Sequence, residues 1–304
     1  MKPMQLLSIK SAFYTPMLLT AHRFLPEAGV SVNLTLRTNQ NVGAMLREGE
    51  LDFAQFAPSA AMVDRSNGIE NNPVHIASIN ARDGFLLVSR KAEPDFKWQD
   101  LTGKTIVPAN FATQPEACLR FALNKQGVDI NSVKLITGLN GMAEAAKVFR
   151  EGTGDYVQLQ DPLARELIAA GHGHLAAMFG DAIGPIAFSS VACGQHMISE
   201  ERVKVEQFML AYSQARHWID QADAPTIVDA ISHWFEDTPR QVLVDAIAGY
   251  QALGTWSTKT AILRSDFETA LDMMTFSPEL TGVSERYPYD ICCNDAFAAA
   301  VDID

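Results

Sequence analysis

Gly152-Thr153-Gly154-Asp155-Tyr156-Val157-Gln158-Leu159-Gln160-Asp161-Pro162 is the stretch on which the fold turns. Tyr156 to Leu159 reads as a strand. The chain runs from it straight into Asp161-Pro162, a carboxylate cap with proline at the first helical position, and Gly171 closes the helix that follows.

Outward from this stretch the same unit of strand, short polar loop and helix start recurs. Leu6 to Lys10 is strand-like, Ser11 to Tyr14 a loop, and Thr15-Pro16 the cap and first turn of a helix ending near Leu25. Val32 to Leu36 alternates as a strand and leads through Arg37-Thr38-Asn39-Gln40 into a helix from Asn41 to Glu48. Asp52 to Phe56 leads through Ala57-Pro58-Ser59 into another. Beyond a strand at Phe85 to Arg90, Thr105 to Val107 is followed by Asn110-Phe111-Ala112. Thr113-Gln114-Pro115-Glu116 then has the spacing of a capping box. Such alternation defines an α/β protein with mostly parallel sheets. At 304 residues the chain exceeds the usual size of one core, so two compact units are expected. After a strand at Ala187 to Cys193 the pattern becomes almost wholly helical, a tail expected to return to the first unit.

The composition narrows the functional classes. A net charge of −12 and the lack of clustered Lys and Arg exclude a nucleic-acid surface. No run of 18 apolar residues exists to span a membrane. Lys10 and Ser11 interrupt the apolar start before it becomes a signal-peptide core, so the chain is periplasmic if a signal has been removed and cytoplasmic if it is full length. Cys118, Cys193, Cys292 and Cys293 are too few and too uneven for a disulfide framework, and read as buried thiols. His172-Gly173-His174 has no second ligand pair at metal spacing and reads as a solvated loop. The motifs of nucleotide-binding loops, serine hydrolases and zinc hydrolases are absent from the sequence, so an enzyme reading has no motif behind it and no catalytic residue or metal is expected.

In open α/β sheets ligands bind beyond the carboxyl ends of the strands, where helix N-termini offer free N–H groups. The candidate ligand contacts are therefore Tyr14, Asn39, Ser59, Asn110, Thr113 and Asp161, with Phe13 and Phe111 as apolar walls. Each polar residue among them also suits a helix cap, and the aromatics equally suit a core. Arg82, next to Asp83, offers either a bidentate anion contact or one half of a surface ion pair. Aromatics with one carboxylate favour a planar, pyrimidine-like heterocycle; helix N-termini with Arg82 favour a small organic anion.

Several segments resemble the substrate-binding proteins of ABC importers in the nitrate, sulfonate, taurine and thiamine-pyrimidine-precursor group. They are Arg82 to Lys91, Phe96 to Ile106 with its Asp-Leu-Thr-Gly-Lys-Thr-Ile run, Gly152 to Pro162, Gly49 to Ala54 and Tyr287-Pro288-Tyr289-Asp290. The resemblance implies a two-lobed type II periplasmic-binding-protein fold, each lobe a mixed, mostly parallel sheet flanked by helices, with a helical C-terminal tail. Lobe 1 would be discontinuous, 1–87 and 190–304, with lobe 2 at 88–189 and hinge strands near Phe85 to Ser89 and Ala187 to Val191. It further implies a monomer that binds a small molecule without a cofactor and hands it to an ABC permease. Two enzymes on this fold, a pyrimidine synthase and an aromatic desulfinase, lose their central residues here. The helix at Ser59 to Arg65 has neither Lys nor His, and the first loop has Ser11-Ala12-Phe13 in place of a cysteine; a cytoplasmic enzyme on the same fold, or a cytoplasmic ligand sensor, is the alternative to a transport receptor.

Overall fold

In the computed structural model, which describes residues 2–109, 112–277 and 287–302, two five-stranded sheets form the two lobes. In chain order the strands are β1 (Met4–Ser8), β2 (Val32–Leu36), β3 (Phe53–Phe56), β4 (Val74–Asn80), β5 (Phe85–Ser89), β6 (Thr105–Val107), β7 (Lys134–Leu135), β8 (Tyr156–Gln160), β9 (His174–Met178) and β10 (Ser189–Cys193). The first sheet has the order β2-β1-β3-β10-β4 and the second β7-β6-β8-β5-β9. In the first, β1 runs parallel to β2 and β3, while β10 lies antiparallel between β3 and β4. In the second, β6 runs parallel to β7 and β8, while β5 lies antiparallel between β8 and β9. Each sheet is thus mostly parallel, with one reversed strand.

That reversed strand is in each case the first to enter after the chain changes lobe. Phe85 to Ser89 pairs along its whole length within the second sheet and Ser189 to Cys193 within the first, so the crossings fall at 81–84 and at 184–188. The inner strands β5, β8 and β10 are buried at every position, as expected of strands covered on both faces; of the two edge strands of the first sheet, β4 is equally buried and β2 is not.

Two local expectations are corrected. Thr15 is the first residue of its helical segment, its hydroxyl donating to Ala12 O at 2.7 Å; the cap is Ser11, whose Oγ accepts from Phe13 N at 3.3 Å and starts a short 3₁₀ turn, Ala12–Tyr14. The Thr113–Glu116 capping box does not form either. Ala112 occupies the N-cap of helix Thr113–Lys125, and Glu116 pairs with Arg120 at 2.7 Å instead.

The helical tail packs on lobe 1 through helix Arg202–Gln221. Arg216, 1% exposed, donates from Nη1 to Ser78 O (2.9 Å) and Ile79 O (2.8 Å) at the end of β4, and from Nε to Ser257 O (2.8 Å). It also reaches lobe 2, beyond what the sequence implied. Tyr250, on helix Arg240–Ala252, accepts from Asp161 N at 3.1 Å, and Thr238 donates to Glu166 at 2.8 Å.

Candidate functional site: the cleft between the lobes

Between the lobes lies a cavity of about 340 Å³, at the small end of the range for ligand pockets. Its walls are built where the topology predicts. Arg37 follows β2, Ala57 and Ser59 follow β3, Gln160 ends β8, and Phe85 and Phe188 stand at the starts of the two reversed strands. Helices Pro58–Ser66 and Thr113–Lys125, one from each lobe, both begin at this cavity, and their N-cap residues are Ala57 and Ala112. Alanine has no side-chain acceptor for the first-turn N–H groups, so neither N-cap side chain screens the partial positive charge that these helix ends present to the cleft. Gln158 ties Ala109, beyond β6, to the first turn of helix Thr113–Lys125: its Oε1 accepts from Ala109 N at 3.2 Å and its Nε2 donates to Pro115 O at 3.0 Å.

The charges are unequal. Asp64 faces the cavity but is paired with Arg47 at 3.0 Å. Arg37 has no hydrogen bond or ion pair from its guanidinium among the described residues. The residue as a whole is exposed; desolvation at its head lowers its pKa, which the Tyr14 ring partly offsets. Arginine stays charged under any physiological condition. Tyr14 is 5% exposed, and burial raises its phenol well above the usual value, partly offset by Arg37 and by a hydrogen bond with Ser189. Among the described residues the cleft therefore carries one unopposed cation.

A direct bridge links the lobes across this space. Ser59 Oγ donates to Gln114 Oε1 at 2.8 Å, and Gln114 Nε2 donates to Phe188 O at 3.0 Å. Lobe 1, lobe 2 and the second crossing thus meet at one amide.

Of the residues predicted from sequence, the cavity gathers Tyr14, Ser59 and Thr113. Asn110 and Phe111 lie outside the described residues. Phe13 is fully buried behind the wall, with Tyr14, Phe188 and Tyr250 around its ring at centroid distances of 5.0 to 5.3 Å. Asn39 is exposed and does not line the cavity. Asp161 is away from the lining as well; its carboxylate takes Arg165 Nε at 2.9 Å and Arg165 N at 3.2 Å, which makes it a helix-start residue. Its buried carboxyl is nonetheless raised to about 6, since burial outweighs Arg165. Arg82 lies off the cavity and does not pair with Asp83; its charge acts on Asp266. The residues missed, Arg37, Gln40, Asn41, Gln114 and Gln160, stand within or beside the loops marked from sequence, at other positions, while Gln55 lies inside β3.

The second crossing's counterpart holds a further buried acid. Asp83 is fully buried; its Oδ1 accepts from Phe85 N at 2.7 Å, and Cys118 stands beside it. Burial raises its carboxyl to about 7. Among the described residues no group of three or more His, Cys, Asp or Glu side chains could hold a metal ion, and no helix is long and apolar enough to cross a membrane.

Two α/β lobes joined by two crossings, with a cavity at the strand ends between them, define the type II periplasmic-binding-protein fold. The chain belongs to the family described as NMT1/THI5 like, which it matches over residues 14–224. It is 28% identical over 295 residues to the putative binding protein YtlA of Bacillus subtilis, covering 96% of this chain and 87% of that one. Among solved structures it is similar to the ligand-binding component of an ABC-type import system from Staphylococcus aureus. There the TM-score is 0.77 and the identity 13%, over 99% of both chains. It is also similar to a putative sulfonate-binding protein of an ABC transporter from Methylobacillus flagellatus, with a TM-score of 0.74 and 14% identity, over 99% of this chain and 94% of that one.

Proposed function

We propose that this chain is the solute-binding component of an ABC importer and that its interlobe cleft captures a small organic anion for delivery to a membrane permease. The observation that carries this reading is the unpaired Arg37 guanidinium in a cavity onto which two alanine-capped helix N-termini open. The names of the relatives agree with it. On this reading the protein works outside the cytoplasmic membrane, as a monomer, and releases its ligand unchanged. Lobe closure about the crossings at 81–84 and 184–188 would be driven by ligand contacts made to both sides at once.

The groups that an enzyme would use are occupied elsewhere. Ser11 Oγ caps a turn and donates to Asp161 O at 3.3 Å. All four cysteines are buried, and burial raises each thiol above its usual value, the opposite of what a nucleophile needs.

The test is calorimetric titration of the full chain with a panel of sulfonates, carboxylates and nitrate, with mass spectrometry of the ligand afterwards. One anion should bind one to one and be recovered intact. Arg37→Ala should weaken it about 10- to 100-fold, the effect of removing a charge-assisted hydrogen bond. Chemical turnover of the ligand, or an affinity indifferent to Arg37, would refute the proposal.

A further inference from the structure

We infer that the ligand is a flat acid bearing an N–H donor, its acidic group on Arg37 and its N–H on Gln55 Oε1; this rests on the binding reading above. Gln55 lines the cavity yet is only 3% exposed. Its Nε2 donates to Ser189 Oγ at 2.8 Å, and its Oε1 is buried with no partner among the described residues. Ser189 Oγ accepts from Nε2, which leaves the amide oxygen as the open acceptor. A buried carbonyl oxygen without a donor is costly, and a ligand N–H in the cavity removes that cost.

The shape of the cavity completes the argument. Tyr14, Phe56, Phe85 and Phe188 all contribute to the walls, so apolar ring faces surround the polar contacts. Rings of this kind stack on or edge against a planar molecule. A short aliphatic sulfonate would satisfy Arg37 and leave both Gln55 Oε1 and the aromatic walls unanswered. A nitrogen heterocycle with one carboxylate or sulfonate satisfies all three.

Four probes separate these requirements by calorimetry on the full chain: orotate, which is flat, acidic and has N–H groups; 1,3-dimethylorotate, which lacks the N–H groups; uracil, which lacks the acid; and ethanesulfonate, which lacks the ring. Orotate should bind at least about tenfold more tightly than each of the others, since a site built to hydrogen-bond a substrate N–H rejects analogues without it. Arg37→Gln, on an exposed position, should erase the preference over uracil. Gln55→Leu should erase the preference over dimethylorotate, and the dimethylorotate comparison on the unaltered chain stands even if that variant does not fold. Equal binding of orotate and dimethylorotate overturns the inference, as does failure of all four probes to bind. Tighter binding of ethanesulfonate overturns it too, but leaves the capture of a small anion standing.

Discussion

Asp83→Asn is the substitution that tests the crossing between the lobes most sharply. Asp83 has no exposed surface, and its Oδ2 has no hydrogen-bond partner among the described residues. Its carboxyl is raised by burial to about 7, from 3.8 in the unfolded chain. A raised acid favours the folded state at low pH. The contribution is fully present below the unfolded pKa and is lost as pH rises through the folded one. Between pH 5 and pH 8 the folded carboxyl passes through about two units of this range, or about 3 kcal/mol at 1.36 kcal/mol per unit. Unfolding entropy of about 2.1 cal/mol/K per residue turns this into a fall in Tm of about 4 °C for a chain of this length. Asparagine keeps an acceptor for Phe85 N and cannot ionise. Thermal melts at both pH values should therefore show the native chain losing about 4 °C more than the variant between pH 5 and pH 8. Parallel pH profiles for the two proteins would refute the assignment of a neutral, buried acid at the crossing.

The other outcomes concern closure and packing. Gln114→Ala removes the hydrogen bonds to Ser59 Oγ and Phe188 O, each worth about 1 kcal/mol. Small-angle scattering of the unliganded chain should then give a larger radius of gyration, and an unchanged radius would show that this bridge does not hold the lobes. A Cβ at Gly84 would overlap one side of the ring of Phe13, which is held between Tyr14, Phe188 and Tyr250. Gly84→Ala should lower stability by about 1–3 kcal/mol, the usual cost of overpacking, and so reduce Tm by up to about 5 °C. Arg216→Met takes a charged donor from the carbonyls of Ile79 and Ser257, leaves Ser78 O to the Tyr212 hydroxyl, and should cost about 1–3 kcal/mol. A melt within a degree of the native chain would show those carbonyls to be served otherwise.

The element order was legible because local chemistry sets it. Gly, Pro and polar clusters punctuate apolar runs, and the runs at Phe85 to Ser89 and Tyr156 to Gln160 became central strands. The loops that reach the cavity were legible for the same reason, since they must follow carboxyl ends of parallel strands. Which residue of each loop faces inward was not. Phe13 and Tyr14 are neighbours on one 3₁₀ turn, and a single step separates a core ring from a cavity wall. In the loop after β2 the facing residues are Arg37 and Gln40, with Asn39 turned out; irregular backbone has no period from which to read this. Asp161 did carry a signal, Arg165 four residues on, the spacing of a helical ion pair. The bridge through Gln114 had none, because its partners are 55 and 74 residues away.

The lobes cannot part equally everywhere. The two crossings are bonded to each other, Ile186 N donating to Ala81 O at 3.1 Å and Phe188 N to Asn80 O at 3.2 Å, so they bend as one two-stranded ribbon. Beside that ribbon the tail pins both sides. Tyr250 accepts from Asp161 N in lobe 2, and its hydroxyl reaches Gly84 O at 3.4 Å. Asn80 Nδ2 and Trp256 Nε1 both donate to Phe13 O, at 2.7 and 3.2 Å, tying the first helix to the same point. These bonds lie in the buried interior, where each one broken without replacement would expose an unpaired polar group. The Ser59–Gln114 contact is partly buried and faces the cavity, where water or a ligand can replace either partner. The weak edge of the interface is therefore the one beside the cavity, and on the proposed closure mechanism rotation about the ribbon with the Tyr250 side held would open the cleft where Arg37 and Gln55 stand.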